Sequence, residues 1–290
     1  MTFFFFGKRA TRVDARGAAD RTMRLFPPPR HEGTKIERAA LAGESIGGVC
    51  SVCGARVRFR PFTDNPRESG WCEKCGSSNR QRQMAWMLRR ELELSATGPL
   101  KLPDGLALYN TEANGPLHAR LSAHSFYTCS EYWGDKAHYG EVVKGVRNED
   151  LQALSFTDSS FDIVLSSDVL EHVPDPYRAH AEIFRVLKSG GCHVFTVPYS
   201  ESSLCDDVRA TLEDGKIVYH AEALYHGDPV RPDEGVLVWN IFGQEMLVRL
   251  KRIGFDTELW RLHEPEFGII GPGQDIFVAR KPGTAGTTAA

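Results

Sequence analysis

Two short segments, CSVC at 50–53 and CEKC at 72–75, set four of the seven cysteines in the pattern C-x2-C-x18-C-x2-C. Each pair turns two sulfurs to one side of a tight loop. Each is followed by a glycine, Gly54 and Gly76, which relaxes the backbone where amides approach sulfur. Four thiolates at this spacing form the donor set of a tetrahedral zinc ion. Cys50, Cys53, Cys72 and Cys75 fill all four positions, so the ion is expected to hold structure and not to catalyse. Two redox pairs or a coincidence of burial are the other readings. Cys129, Cys192 and Cys205 fall in or beside apolar runs and read as packing residues.

The composition sets limits on what carries these cysteines. A chain of 290 residues is long enough for one large α/β domain and a small module. Its 41% hydrophobic and 25% charged residues are ordinary for a soluble globular protein. The apolar run at 3–6 is too short for a signal-peptide core or a membrane span, and no other stretch approaches one. The cytoplasm is the expected compartment, where close cysteine pairs point to metal and not to disulfides. The formal net charge of −3 hides an asymmetry: residues 1–90 carry 18 Lys+Arg against 8 Asp+Glu, and residues 91–290 carry 17 against 30. That change of sign fits two parts with different tasks, an electrostatic contact between them, or two differing solvated surfaces.

Residues 1–45 are basic, contain PPPR at 27–30 and show little periodicity; they read as a largely flexible arm with a short helix around 34–43. Residues 46–80 form the zinc module. NRQRQMAWMLRRELEL, from Asn79, places Met84, Met87, Leu88 and Glu91 at helical spacing and predicts a linking helix over 81–98, ending before Gly98-Pro99. Residues 99–281 then alternate strand and helix. GLALYNT (105–111), HSFYTCS (124–130), VRNEDL (146–151), FDIVLSS (161–167) and CHVFTVP (192–198) read as strands. YRAHAEIFRVLKSGG (177–191) and GQEMLVRLKRIGF (243–255) read as amphipathic helices stopped by glycine. DTELW (256–260) and DIFVARK (275–281) are expected to pair antiparallel at the end of the sheet. Residues 199–238 break the rhythm as an insertion, and 282–290 read as a tail. The alternation predicts an α/β fold: a doubly wound, Rossmann-like, mostly parallel sheet with an antiparallel edge strand, beside a zinc-ribbon-like module.

DLQALSFTDSSFDIVLSSDVLEHVPDPYRAHAEIFRVLKSGGCHVFTVP (150–198) resembles the class I S-adenosylmethionine-dependent methyltransferases, in the group of small methyltransferase domains. That family has an acid before an L-P-F-x-D-x-S-F-D segment, then a strand, V-L-E-H-V, a helix and R-V-L-K-x-G-G. The likeness extends over roughly 100–280. It implies S-adenosylmethionine as cofactor, held beyond the C-terminal ends of the strands. On this resemblance Glu131 takes the ribose hydroxyls, Asp150 and Leu151 the adenine, and Ser167 and Asp168 the floor of the pocket.

The turn after the first strand departs from the family's glycine-rich form. It reads Tyr109-Asn110-Thr111-Glu112-Ala113-Asn114-Gly115, with one glycine. The cofactor has no phosphate, so the turn need not cradle an anion of that kind. Glu112 is suited to the cationic amino group, Asn114-Gly115 tolerates left-handed backbone, and Pro116 suits the first turn of the next helix. The turn is therefore expected to be altered without being blocked, with Tyr109, Glu112, Asn114 and Gly115 facing the cofactor.

For the acceptor side, His172 in LEHV stands at the pocket edge or caps the following helix. In the insertion, YHGDP (225–229) brings His226 near Asp228 as a base and its orienter, or simply builds a turn. Tyr199, His172 and His226 are the candidates for catalysis or acceptor contact. Three readings stay open. One is methylation at O, N or C of a small-molecule or glycan-type acceptor. Another is methylation of RNA, with the basic N-terminal part on phosphate. The last is a non-catalytic scaffold that kept the fold.

Overall fold

The computed structural model describes residues 11–14 (backbone only), 35–134, 137–227 and 235–283. Most of the expected N-terminal arm, Asp228, and most of the 282–290 tail lie outside the described residues.

The elements are, in chain order, β1 (Thr11–Asp14), α1 (Lys35–Leu41), β2 (Ile46–Val49), β3 (Arg56–Phe59), α2 (Asn79–Glu91), β4 (Leu108–Asn110), α3 (Gly115–Leu121), β5 (Tyr127–Glu131), β6 (Val142–Val143), β7 (Val146–Asn148) and β8 (Phe161–Ser167). There follow α4 (Pro176–Val186), β9 (Leu187–Thr196), β10 (Asp207–Val208), β11 (Ala210–Glu213), β12 (Lys216–Tyr219), β13 (Tyr225–His226), β14 (Val236–Leu237), β15 (Asn240–Ile241), α5 (Glu245–Ile253), β16 (Asp256–Arg261) and β17 (Asp275–Arg280).

One nine-stranded sheet runs in the order β1-β16-β17-β9-β8-β4-β5-β7-β6. From β4 the order steps through β5 to β7 on one side and through β8 to β9 on the other, which is the doubly wound arrangement. β8 and β9 are parallel, as are β5 and β7, while the outermost strands β1 and β6 are antiparallel to their neighbours. The expected Rossmann-like, mostly parallel sheet is therefore present. The stretch 1–45, read as an arm with one helix, also contributes the edge strand β1.

By compactness the chain divides into two units: Met1–Leu108 with Ala113–Thr128 and Glu258–Val278, and Tyr109–Glu112 with Cys129–Thr257 and Ala279–Ala290. These are not the boundaries expected at 46, 81 and 99. The reason within the first unit is α2. It starts at a capping box, in which the Ser78 amide donates to Gln81 Oε1 at 3.1 Å and the Gln81 amide to Ser78 Oγ at 3.5 Å. It stops at Glu91, short of the expected 98, and Met84 to Arg89 are all buried. A helix buried on nearly every side packs within a core. Arg82 donates to the carbonyls of Phe267 and Gly268 at 3.1 and 2.8 Å, and Asn79 donates to that of Ile270 at 2.8 Å. These bonds tie the cysteine module to residues 267–270.

In the second unit, β8 is a buried apolar run, as expected of a strand covered on both faces. α4 begins at Asp175, whose carboxylate accepts the Arg178 amide at 3.0 Å, with Pro176 in the first turn. The helix expected to reach 191 ends at Val186, and Leu187 already pairs with Phe161 in the sheet. Lys281 causes the early stop: its ammonium donates to the carbonyls of Phe184 and Leu187 at 2.8 and 2.7 Å, satisfying groups that another helical turn would have used. The insertion expected over 199–238 folds as short antiparallel pairs. Its β11–β12 hairpin turns at Asp214-Gly215, both with positive φ.

Candidate functional site

The cysteine cluster is built on the β2–β3 hairpin, where Val49 faces Arg56. Between them, the Cys50–Gly54 loop closes with the Gly54 amide donating to the Cys50 carbonyl at 2.6 Å. Gly54 has φ +71°, and a Cβ there would stand 1.6 Å from the Gly98 carbonyl oxygen, so no other residue fits. The four sulfurs lie within 4.8 Å of one another. Cys50 and Cys75 are 3.7 Å apart, and Cys53 and Cys72 are 4.0 Å apart. A tetrahedral ion with bonds of about 2.3 Å requires sulfurs about 3.8 Å apart, so the donor set fits zinc. The hydrogen bond from Cys75 pulls the Cys50 thiol down to about 4, with the Ser77 hydroxyl and the Arg82 charge acting in the same direction.

In the second unit, the expected cofactor residues stand at or just past strand ends. Glu131 closes β5, and its carbonyl accepts the Glu149 amide at 3.1 Å. Asp150 follows β7 by two residues. One of its carboxylate oxygens accepts the Gln152 amide at 2.8 Å, and the other accepts the Tyr139 hydroxyl at 3.3 Å. Leu151 is buried beside it. Ser167 closes β8, with its hydroxyl 3.2 Å from that of Thr196. Asp168 comes next with φ +53°, a left-handed residue after a straight buried strand. It is held by its amide on the Thr196 carbonyl at 3.0 Å and by Thr196 Oγ1 donating to its carboxylate at 2.9 Å.

The altered turn is only partly as expected. The carbonyl of Glu112 takes the Asn110 side-chain amide at 2.8 Å, which shapes the turn. Tyr109 is wholly buried: its ring packs on Phe156 and Phe161, and its hydroxyl is 2.7 Å from Ser130 Oγ. The Tyr109 side chain is therefore core and not ligand-facing, and burial raises its phenol above the usual range. Thr111, which the sequence reading passed over, has a buried hydroxyl with no hydrogen-bond partner among the described residues, at the C-terminal end of β4. In the first unit, Asn114 is the extended N-cap of α3, and Gly115 has φ +76° with Gln81 Nε2 2.6 Å from where a Cβ would be. Packing against α2 explains that glycine without a ligand.

Of the three acceptor-side candidates, two come together. His172 Nε2 is 3.7 Å and His226 Nδ1 is 4.0 Å from Glu171 Oε1, and the two rings meet edge to face at 5.0 Å. Glu171 is fully buried and was not singled out from the sequence. Tyr199 is outside this cluster and bridges to Phe242 through backbone. Two surface depressions, one lined by Leu102, His124 and Phe126 and the other by Ile36, Arg56 and Phe267, contain none of these residues.

The strand order and the parallel central strands describe a doubly wound α/β protein. A family model for a methyltransferase domain matches residues 127–195, from β5 to the end of β9. An uncharacterized methyltransferase of Mycobacterium marinum is 47% identical over 60 residues, 21% of this chain and 23% of that protein. An arsenite methyltransferase of Aquipseudomonas alcaligenes is 38% identical over 61 residues, 21% of this chain and 18% of that protein. The matched part is thus under a quarter of these curated relatives. A crystal structure of an S-adenosylmethionine-dependent methyltransferase from Mesorhizobium loti is similar with TM-score 0.41 and 19% identity, covering 68% of this chain and 97% of that one. No helix among the described residues is long and apolar enough to cross a membrane.

Proposed function

We propose that this protein is an S-adenosylmethionine-dependent methyltransferase acting on a small-molecule or glycan-type acceptor, with a structural zinc ion on Cys50, Cys53, Cys72 and Cys75. The observation that carries this reading is a coincidence of positions. The segment similar to a methyltransferase domain, 127–195, is the one whose strand ends present Glu131, Asp150 and the left-handed neighbour Asp168. When bound, the cofactor supplies an electrophilic methyl group on a sulfonium. The chain's part is to bind and orient. Glu131 is placed for the ribose hydroxyls, Asp150 and Leu151 for the adenine, Ser167 and Asp168 for the floor, and Glu112 for the ammonium. The buried Thr111 hydroxyl adds a polar group at the same end of the sheet. Methyl transfer depends chiefly on in-line positioning, which rigid strand ends provide. His172 and His226 stand for the acceptor side, where a hydroxyl or amine must lose its proton.

Calorimetric titration of the zinc-loaded full chain with S-adenosylmethionine tests this. Micromolar binding, weakened about tenfold or more by Glu131→Ala and by Asp150→Ala, is expected. No binding by a well-folded chain would leave the scaffold reading in its place.

A further inference from the structure

Glu171, His172 and His226 form a second group of metal-type donors, all ligand atoms lying within 4.8 Å of one another. We propose that these three residues bind one divalent transition-metal cation, distinct from the four-cysteine site, and that its open positions receive an oxygen-bearing acceptor. The acceptor role rests on the methyl-transfer reading; binding of the cation does not.

Two histidines and one carboxylate are a donor set used for zinc and for iron(II), with positions left over for water or substrate. The three side chains come from elements that fix them separately. Glu171 and His172 lie in a 3-10 turn over Leu170–His172, four residues past the end of β8. The Glu171 carbonyl accepts the Trp239 amide at 2.7 Å, which anchors the turn. His226 sits on β13 opposite Val236 of β14. The same β14 supplies the Leu237 carbonyl, 2.8 Å from His172 Nδ1. A carbonyl accepts only a protonated ring nitrogen, so Nδ1 carries hydrogen and Nε2 is turned to Glu171. This is the usual arrangement of a metal-bound histidine, whose outer N–H is held by a backbone carbonyl while the other nitrogen ligates.

The distances favour a shared ion over direct pairing. At 3.7 and 4.0 Å, neither imidazole hydrogen-bonds the carboxylate. Donors around an ion with bonds of about 2.1 Å stand about 3.4 Å apart, so an ion would draw the two imidazole nitrogens about 0.3 and 0.6 Å closer to the carboxylate. His226 has the freedom to move, its side chain being 42% exposed, whereas Glu171 is at 0%. A buried carboxylate supplies charge in low dielectric, and the exposed imidazole leaves a route of entry.

The test is titration with Mn2+ of the full chain carrying one equivalent of zinc, which the four thiolates hold, following loss of the free-ion electron paramagnetic resonance signal. The zinc-filled cysteine site keeps that signal specific, and Co2+ absorption serves as a second probe. One equivalent bound, weakened at least tenfold by His226→Ala and by His172→Gln with unchanged circular dichroism, is expected. No binding of either ion, or equal binding by His226→Ala, would overturn the proposal. Titration of the same samples with S-adenosylmethionine separates the two claims. Cofactor binding without Mn2+ or Co2+ binding overturns the cation site alone. Cation binding without cofactor binding overturns the methyl-donor reading and leaves the site in place.

Discussion

Arg82 and Arg89 stand about two turns apart on α2, both fully buried, and each directs its guanidinium at three backbone carbonyls. Arg82 donates to Ser77, Phe267 and Gly268, and Arg89 to Ser51, Ser95 and Gly98. Among the described residues neither has a carboxylate within ion-pair distance. Burial lowers both to about 10, so both remain charged at neutral pH. The negative charge near them is that of the cysteines. A zinc ion with four thiolates carries a net charge of about −2, which two guanidiniums balance. Stripping the metal and reprotonating the other three thiols would leave the Cys50 thiolate alone to offset two buried cations, and one stranded charge costs about 3–5 kcal/mol. Chelation is therefore expected to lower the melting temperature by about 10 °C or more, as read by calorimetry. A shift of a degree or two would refute the coupling.

The close approach at Gly54 gives a sharper structural test. Gly54→Ala must accommodate a left-handed alanine and a collision with the Gly98 carbonyl. Purified Gly54→Ala should carry well under one zinc per chain by elemental analysis. Gly47→Ala, where nothing lies within 4 Å of the new methyl, should carry the full amount.

Acid stability should report the second unit's core. His180 and His193 are wholly buried, and among the described residues neither ring nitrogen of His180 has a hydrogen-bond partner. Burial pulls His180 down to about 3 and His193 well below its usual value. The folded state thus stays unprotonated at pH values where the unfolded chain binds protons. Stability is then lost as pH falls from about 6.5 toward 3, by about 1.4 kcal/mol per pH unit for each histidine. Urea unfolding of His180→Leu should show that slope reduced by about one proton; an unchanged slope would place the loss elsewhere.

Asp168 separates charge from backbone. Asp168→Asn keeps a side chain that tolerates φ +53° and removes the carboxylate. It is expected to weaken S-adenosylmethionine about tenfold with little change in melting temperature. Asp168→Val should cost about 1–3 kcal/mol of stability through strain alone. Equal cofactor affinity in wild type and Asp168→Asn would remove the carboxylate from the site.

Much of this was legible in the sequence because it is local. The run Phe161–Ser167 is buried at every position but Asp162 and has Phe161, Ile163, Val164 and Leu165 as its apolar core, and the cysteine spacing specifies its own geometry. What stayed hidden depends on distant partners. Spacing on a helix does not show that Arg82 is buried, since the carbonyls of Phe267 and Gly268 lie far along the chain. Val186 ends α4 because of Lys281, which no reading of 177–191 alone reveals. Glu171 was passed over between Leu170 and His172 because sequence spacing in a 3-10 turn does not tell which side chain is buried. The N-terminal excess of positive charge likewise includes two arginines that contribute nothing to the surface.

The bond from Arg82 to Gly268 spans 186 residues, and this sets an order of events during synthesis. At about 5–20 residues per second, about 10–40 s pass between the appearance of the cysteine module and that of its last hydrogen-bond acceptors. Through that interval the nascent chain offers four thiols and an Arg82 guanidinium still lacking two of its three acceptors. The cysteine module emerges well before its last acceptors, and metal capture has time to precede closure of the fold around it.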